Sequence, residues 1–176
     1  MSFLDPQYQQ ERVKIYRLFG YLFMNIPDMD IIEEFEVFAG IPINDSYEEI
    51  CDDFIRLFIE GELQNYEGFY REILYKELPI EPSLSDVKHF YWTAGIDIEE
   101  EFDLSADHIS MELIFMSCLI ERNLKELEIE FLKRLCEWIP LFCDNLYEKA
   151  GTDFFKEVAT SLQEFISSEC ESIGYE

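Results

Sequence analysis

Residues able to do chemistry gather in three places along the chain. Asp107 and His108 stand at the head of an apolar segment that carries Ile109, Met111, Leu113, Ile114, Phe115 and Met116, with Glu112 one turn further on. His108 and Glu112 are four apart and share a helix face, a spacing that suits a metal or acid–base pair and suits a local ion pair equally well. No third ligand stands near them, so an ion pair, or a histidine capped by Asp107, is the expectation. The run Asp97-Ile98-Glu99-Glu100-Glu101-Phe102-Asp103 carries five acids in seven residues, with Ile98 and Phe102 set among them. Such runs are usually a solvated loop. Interleaved apolar residues also offer a guanidinium bidentate partners beside greasy surface. The third place, Tyr66-Glu67-Gly68-Phe69-Tyr70, clusters aromatics in what reads as a loop. Aromatics in loops more often fold back onto the core than form a groove.

Several chemistries are missing. There is no G-x-x-x-x-G-K-[ST] phosphate cradle and no G-x-S-x-G, and the chain has 2 His. A di-iron bundle needs two Glu-x-x-His pairs, and the one approximation is Asp86-x-x-His89. No catalytic residue, metal or cofactor is therefore expected. Charge narrows the partners. Lys and Arg number 13 against 39 Asp and Glu, a net −26, in 176 residues that are 48% hydrophobic and 16% aromatic. Disordered acidic tails lack that aromatic content. A phosphate-backbone binder or an anionic-membrane binder needs the opposite sign. A neutral or cationic partner fits.

The elements that must position these residues are helical. Apolar residues recur at three- and four-residue steps over 5–25, 28–39 and 46–60, with Pro27 as a break and Ser46 as an N-cap. Gly61, Asn65, Gly68, Pro79 and Pro82 make 61–82 a connecting loop. A helix over 83–95 stops at Gly95. Ser105 then caps a helix over 106–122, apolar on most sides and so placed at the centre of a bundle. Helices over 124–147, interrupted near Pro140, and 151–170 complete an all-α fold. Trp138-Ile139-Pro140-Leu141-Phe142 reads as a kinked core helix. No strand pattern or internal repeat appears.

The five cysteines (Cys51, Cys118, Cys136, Cys143, Cys170) form no C-x-x-C pair and are odd in number. They read as reduced core thiols of a cytoplasmic protein. Arg12, Lys14 and Arg17 before an apolar run imitate a signal peptide, but Asp5, Glu11 and the lack of a small-residue cleavage site favour an amphipathic first helix. No segment has the apolar length of a membrane span.

The residues resemble a family. Phe54-Ile55-Arg56-Leu57-Phe58 is similar to the W/Y-x-R-L-F segment of TorD/DmsD/NarJ-type redox-enzyme maturation chaperones, and Tyr66-Glu67-Gly68-Phe69-Tyr70 to their P-Y-E-S-x-Y segment. Tyr91-x-x-x-Gly95 matches their Y-x-x-x-G. The stretch Asp107 to Met116 resembles D-H-I-x-x-E-L-x-F-M, and Phe131-Leu132 with Trp138-Ile139-Pro140-x-Phe142 resembles F-L-x-x-H-L-x-x-W-x-P-x-F. The motifs run in family order from about 50 to 165. The resemblance implies a single helical-bundle domain over 1–176 with a hinge at 96–105, as a monomer or a helix-exchanged dimer. It implies a cytoplasmic, non-enzymatic chaperone without a cofactor. The partner is the twin-arginine signal peptide or N-terminal region of a molybdenum-cofactor oxidoreductase subunit, held for cofactor insertion before export. Signal-peptide-binding positions carry over to Phe54, Leu57, Tyr66, Tyr70, Asp107 and His108, beside the acidic loop Asp97, Glu99, Glu100, Glu101 and Asp103. The chain departs from the pattern at Ser105 and Asn65, where the family has prolines. Rival readings are a NarJ-type assembly factor for a non-exported subunit, a nucleotide- or molybdopterin-handling enzyme, and an acidic mimic of nucleic acid.

Overall fold

Side-chain caps set the start of most helices in the computed structural model, which describes residues 5–75, 83–98 and 102–175. Asp5 accepts from Gln7 N and Pro6 occupies the first helical position of α1 (Pro6–Met24). Asp28 caps α2 (Met29–Ala39), which ends at Gly40 in the left-handed conformation. Ser46 and Glu49 form a reciprocal capping box at α3 (Tyr47–Phe54). A π-helical turn, Ile55–Ile59, continues α3 and widens the register so that Leu57 is buried beside Phe54. Then follow α4 (Glu67–Leu74), α5 (Ser83–Ala94), α6 (Ile109–Glu121), α7 (Lys125–Lys149) and α8 (Asp153–Ser172), the last capped by Thr152. Among the described residues the chain is all-α.

Three details differ from the expectation. The segment 61–82 was expected to be loop and contains α4, a two-turn helix whose buried face is Glu67 and Tyr70. Helix α7 runs through Pro140 without a break. Proline removes one helical donor, and here Trp138, Ile139, Phe142 and Cys143 anchor the helix on both sides of it. The cap of α6 is His108, not Ser105: the His108 Nδ1 accepts from Ser110 N at 3.0 Å.

Helix α6 is the axis of the bundle. Eleven of its residues are buried, Ser110, Glu112 and Ser117 among them. It packs lengthwise against α1, and α7 packs lengthwise against α8. Gly20 permits the first contact to be close, since a Cβ there would lie 2.8 Å from Ile114 Cγ1. Aromatic edges fill the remaining space, as in Phe23 on Phe142 (5.3 Å) and Phe115 on Phe131 (4.8 Å). No helix among the described residues is long and apolar enough to cross a membrane.

Two nonlocal links tie the α7–α8 hairpin together. Buried Arg12 of α1 reaches Glu128 (2.8 Å) on α7 and Glu169 (2.5 Å) on α8, and Tyr16 donates to the same Glu169 at 2.9 Å. Beside Glu169, Cys170 is bonded to Cys136 across a Cα–Cα distance of 6.0 Å. This corrects the expectation of five reduced thiols. The antiparallel hairpin brings together two cysteines 34 residues apart, which no local spacing could reveal. Cys51, Cys118 and Cys143 are free. Denatured without reductant, the protein should show three reactive thiols, and five after reduction. Five at the outset would remove the bond.

Candidate functional site

The site is built where two distant segments meet. Residues 65–67, leading into α4, lie alongside 107–109, leading into α6, through a single antiparallel bridge between Tyr66 and His108. Glu67 N donates to Asp107 O at 2.9 Å, and Ile109 N donates to Asn65 O at 2.8 Å. The Asp107 carboxylate fixes the junction further: Oδ2 accepts from Gly68 N at 3.2 Å and Oδ1 from Ser105 Oγ at 2.6 Å. Gly68 allows this approach, because a Cβ there would sit 3.2 Å from Asp107 Oδ2. His108 accepts at Nδ1, so its imidazole is neutral. Burial, opposed by the Asp107 charge, pulls it down to about 4. Its contribution to stability is complete above the ordinary 6.5 and is lost as pH falls toward 4.

The sequence-derived positions divide sharply. Tyr66, Asp107 and His108 come together, with Tyr66 exposed at 39% and the other two buried at 6% and 9%. Phe54 and Leu57 lie in the core, where Phe54 packs against Phe58 and Phe155. Tyr70 is also buried; it stacks on Trp138 and donates to Gln64 O at 2.6 Å. Asp97 and Asp103, which precede Asp107 in the chain, are exposed, and Asp103 has φ 51°. Glu99, Glu100 and Glu101 lie outside the described residues.

Under the junction sits a buried polar cluster that sequence reasoning did not assemble. Glu112 does not pair with His108. Its Oε2 accepts from Trp138 Nε1 at 3.0 Å, while its Oε1 is buried and takes no hydrogen bond from a donor among the described residues. The partner across α4 is Glu67, also fully buried, which is held by Arg71 and by Arg134 at 3.0 Å. Glu137 closes on Arg71 at 2.9 Å, and Asp86 stands 3.6 Å from Arg134. Burial pushes the Glu112 carboxyl well above the usual range, and the Glu67 charge adds to it. For Glu67 burial pushes the same way, but the hydrogen bond with Glu112 and the Arg134 and Arg71 charges outweigh it and lower the value. The two carboxyls are therefore pushed apart, Glu112 toward its protonated form and Glu67 toward its charged form. The one sequence signal was a lone glutamate in the middle of an otherwise apolar helix.

A family model described as nitrate reductase delta subunit matches residues 31–144, which contain both segments of the junction and the cluster beneath it. The chain belongs to the nitrate reductase delta subunit family. This is the TorD-like group of maturation chaperones to which the ordered motifs pointed, a family of chaperones and not of catalysts. Among curated proteins, the chain is similar to the chaperone protein TorD of Salmonella arizonae, 25% identical over 126 residues. The TorD of Salmonella agona is 24% identical over the same length. Each match covers 67% of this chain and 57% of the relative, so the chain spans little more than half the length of the curated relatives it matches. Both Glu67 and Glu112 lie within the matched residues.

Proposed function

We propose that this chain is a cytoplasmic maturation chaperone that binds the twin-arginine leader or N-terminal region of a molybdenum-cofactor oxidoreductase subunit. It holds that segment while cofactor is inserted, and it performs no covalent step. The observation that carries the reading is the junction of Tyr66 with Asp107 and His108, preceded in the chain by exposed Asp97 and Asp103, in a family of chaperones. Exposed carboxylates on a protein of net charge −26 draw in a cationic segment. The exposed Tyr66 ring offers apolar contact beside them. In this reading Asp107 and His108 act mainly by holding the junction in shape, because both Asp107 oxygens are already engaged within the chain.

Isothermal titration of a synthetic twin-arginine leader tests this. Wild type should bind, and a leader with both arginines changed to lysine should bind about tenfold more weakly, since lysine cannot make the bidentate contact. Asp107→Ala/His108→Ala should weaken binding by a similar factor while leaving the helical circular dichroism in place. Equal binding of both leaders, or an unchanged double variant, would count against the reading. A second reading is favoured by the description of the matching family: an assembly factor docking on a non-exported catalytic subunit. Co-purification with a client that lacks its leader would separate the two.

A further inference from the structure

We propose that the groove at the C-terminal end of α5 is a seat for an arginine side chain of the bound peptide, with Trp92 as its aromatic face and Asp97 as its counter-charge. This deepens the leader-binding reading and rests on it. Trp92 is 79% exposed, while Trp138, the other tryptophan, is fully buried. Helix α5 turns Val87 and Tyr91 into the core, so packing gives no reason for a tryptophan on its outer face. The indole is not loose: His89, one turn back, stacks on it with ring centroids 6.0 Å apart and planes inclined by 30°. Beside it opens a groove of about 390 Å³, lined by Lys88, Tyr91, Trp92, Gly95, Ile96 and Asp97.

The groove is joined to the candidate site. Tyr91 donates its hydroxyl to Ala106 O, and Ala106 immediately precedes Asp107. Gly95, with φ 66°, turns the chain out of α5 so that Asp97 follows at the groove. The occupant follows from the chemistry of the lining. An exposed indole face attracts a cation, and it does so best with a flat guanidinium, which can stack on the ring while its edge pairs with a carboxylate. The lining acid, Asp97, is exposed. Lys88, one turn N-terminal to Trp92, is engaged in an interaction of its own.

Tryptophan emission tests the seat directly in the full chain. With Trp138 buried, a change in emission or in acrylamide quenching on peptide addition reports Trp92. A twin-arginine leader should shift the emission and shield the indole. Trp92→Ala should abolish that signal and weaken calorimetric affinity about fivefold or more, and Asp97→Asn should weaken binding and flatten its salt dependence. A leader with both arginines changed to lysine should shift the emission much less. If the leader binds by calorimetry but emission is unchanged, or Trp92→Ala binds within about twofold of wild type, the seat is wrong and the chaperone reading stands. An equal emission shift with the lysine leader would assign the groove to an apolar stretch and overturn the arginine seat. No calorimetric binding of either leader would sink both.

Discussion

Replacing Arg12 with alanine should destabilise the protein by about 3–5 kcal/mol, measured as a shift of the urea midpoint at an unchanged slope. Arg12 is 1% exposed and joins three helices. Its Nη1 reaches Glu128 on α7, its Nε and Nη2 reach Glu169 on α8, and its own helix adds Gln9 at 2.8 Å. Burial opposes the guanidinium charge, yet the hydrogen bond and charge of Glu169 hold its pKa above the ordinary value. Without the arginine two carboxylates stay behind in the core. Glu128 keeps Lys125 at 3.0 Å, and Glu169 keeps the Tyr16 hydroxyl. Neither replaces a buried fork of donors. Arg12→Lys should recover only part of the loss, because an ammonium cannot reach both acids in the same plane. Neutralising the cluster as a whole, with Arg12→Met, Glu128→Gln and Glu169→Gln, should be milder than Arg12→Ala alone, since no buried charge then lacks a partner. If Arg12→Ala costs under about 1 kcal/mol, the cluster is solvated and not a buried tie.

How much of this was legible in the sequence depended on distance along the chain. Where a signal is local, the helix boundaries follow it: Asp28 before α2, the Ser46–Glu49 box before α3, Gly95 after α5. Helix α4 was hidden because it is only 8 residues long and contains Gly68 among turn-forming neighbours. Such a helix gains its stability from burying Glu67 and Tyr70 against α6 and α7, which no local propensity encodes. The cap of α6 was misplaced for a similar reason. Ser105 is the better capping residue by type, but its hydroxyl is spent on Asp107, and the imidazole of His108 takes the position. The motifs around Tyr66 and Asp107 were visible as separate pieces. Their joining through a two-segment bridge was not, because the partners lie about 40 residues apart and meet only when α6 is in place. Phe54, Leu57 and Tyr70 carry the family resemblance and sit in the core, where Phe54 packs on Phe58 and Phe155 and Tyr70 stacks on Trp138.

Glu112→Gln should fold like wild type where Glu112 is protonated, but lose the decline in stability that accompanies the rise of pH from the ordinary carboxyl value through the raised Glu112 value. In the wild type, Glu112 is biased toward its protonated form beside Glu67, while its Oε2 accepts from Trp138. The two carboxyls contribute with opposite sign. The Glu112 value is raised, so its stabilising effect is complete below the ordinary 4.5 and is lost as pH rises through the raised value. The Glu67 value is lowered, so its effect is present above the ordinary 4.5 and is lost as pH falls through the lowered value. Arg71 and Arg134 hold Glu67 charged, Glu137 and Asp86 balance those guanidiniums from α7 and α5, and among the described residues no cation forms an ion pair with Glu112. Glutamine supplies an N–H toward Glu67 and a carbonyl toward Trp138, and it has no proton to lose. Its urea stability should stay within about 1 kcal/mol of wild type where the wild-type Glu112 is protonated, and its pH profile should be flatter as pH rises from there. Glu112→Ala should instead lose about 2–4 kcal/mol, from the cavity and from the unpaired Trp138 Nε1 and Glu67. The near-ultraviolet signal of Trp138 should follow the same pH course in wild type and be pH-independent in Glu112→Gln. Because Glu67 N also holds Asp107 O, leader affinity should fall with that signal as pH rises through the raised Glu112 value in wild type, and should not fall in Glu112→Gln. Parallel pH profiles for the two proteins would show that the Glu112 proton does not set the geometry of the junction.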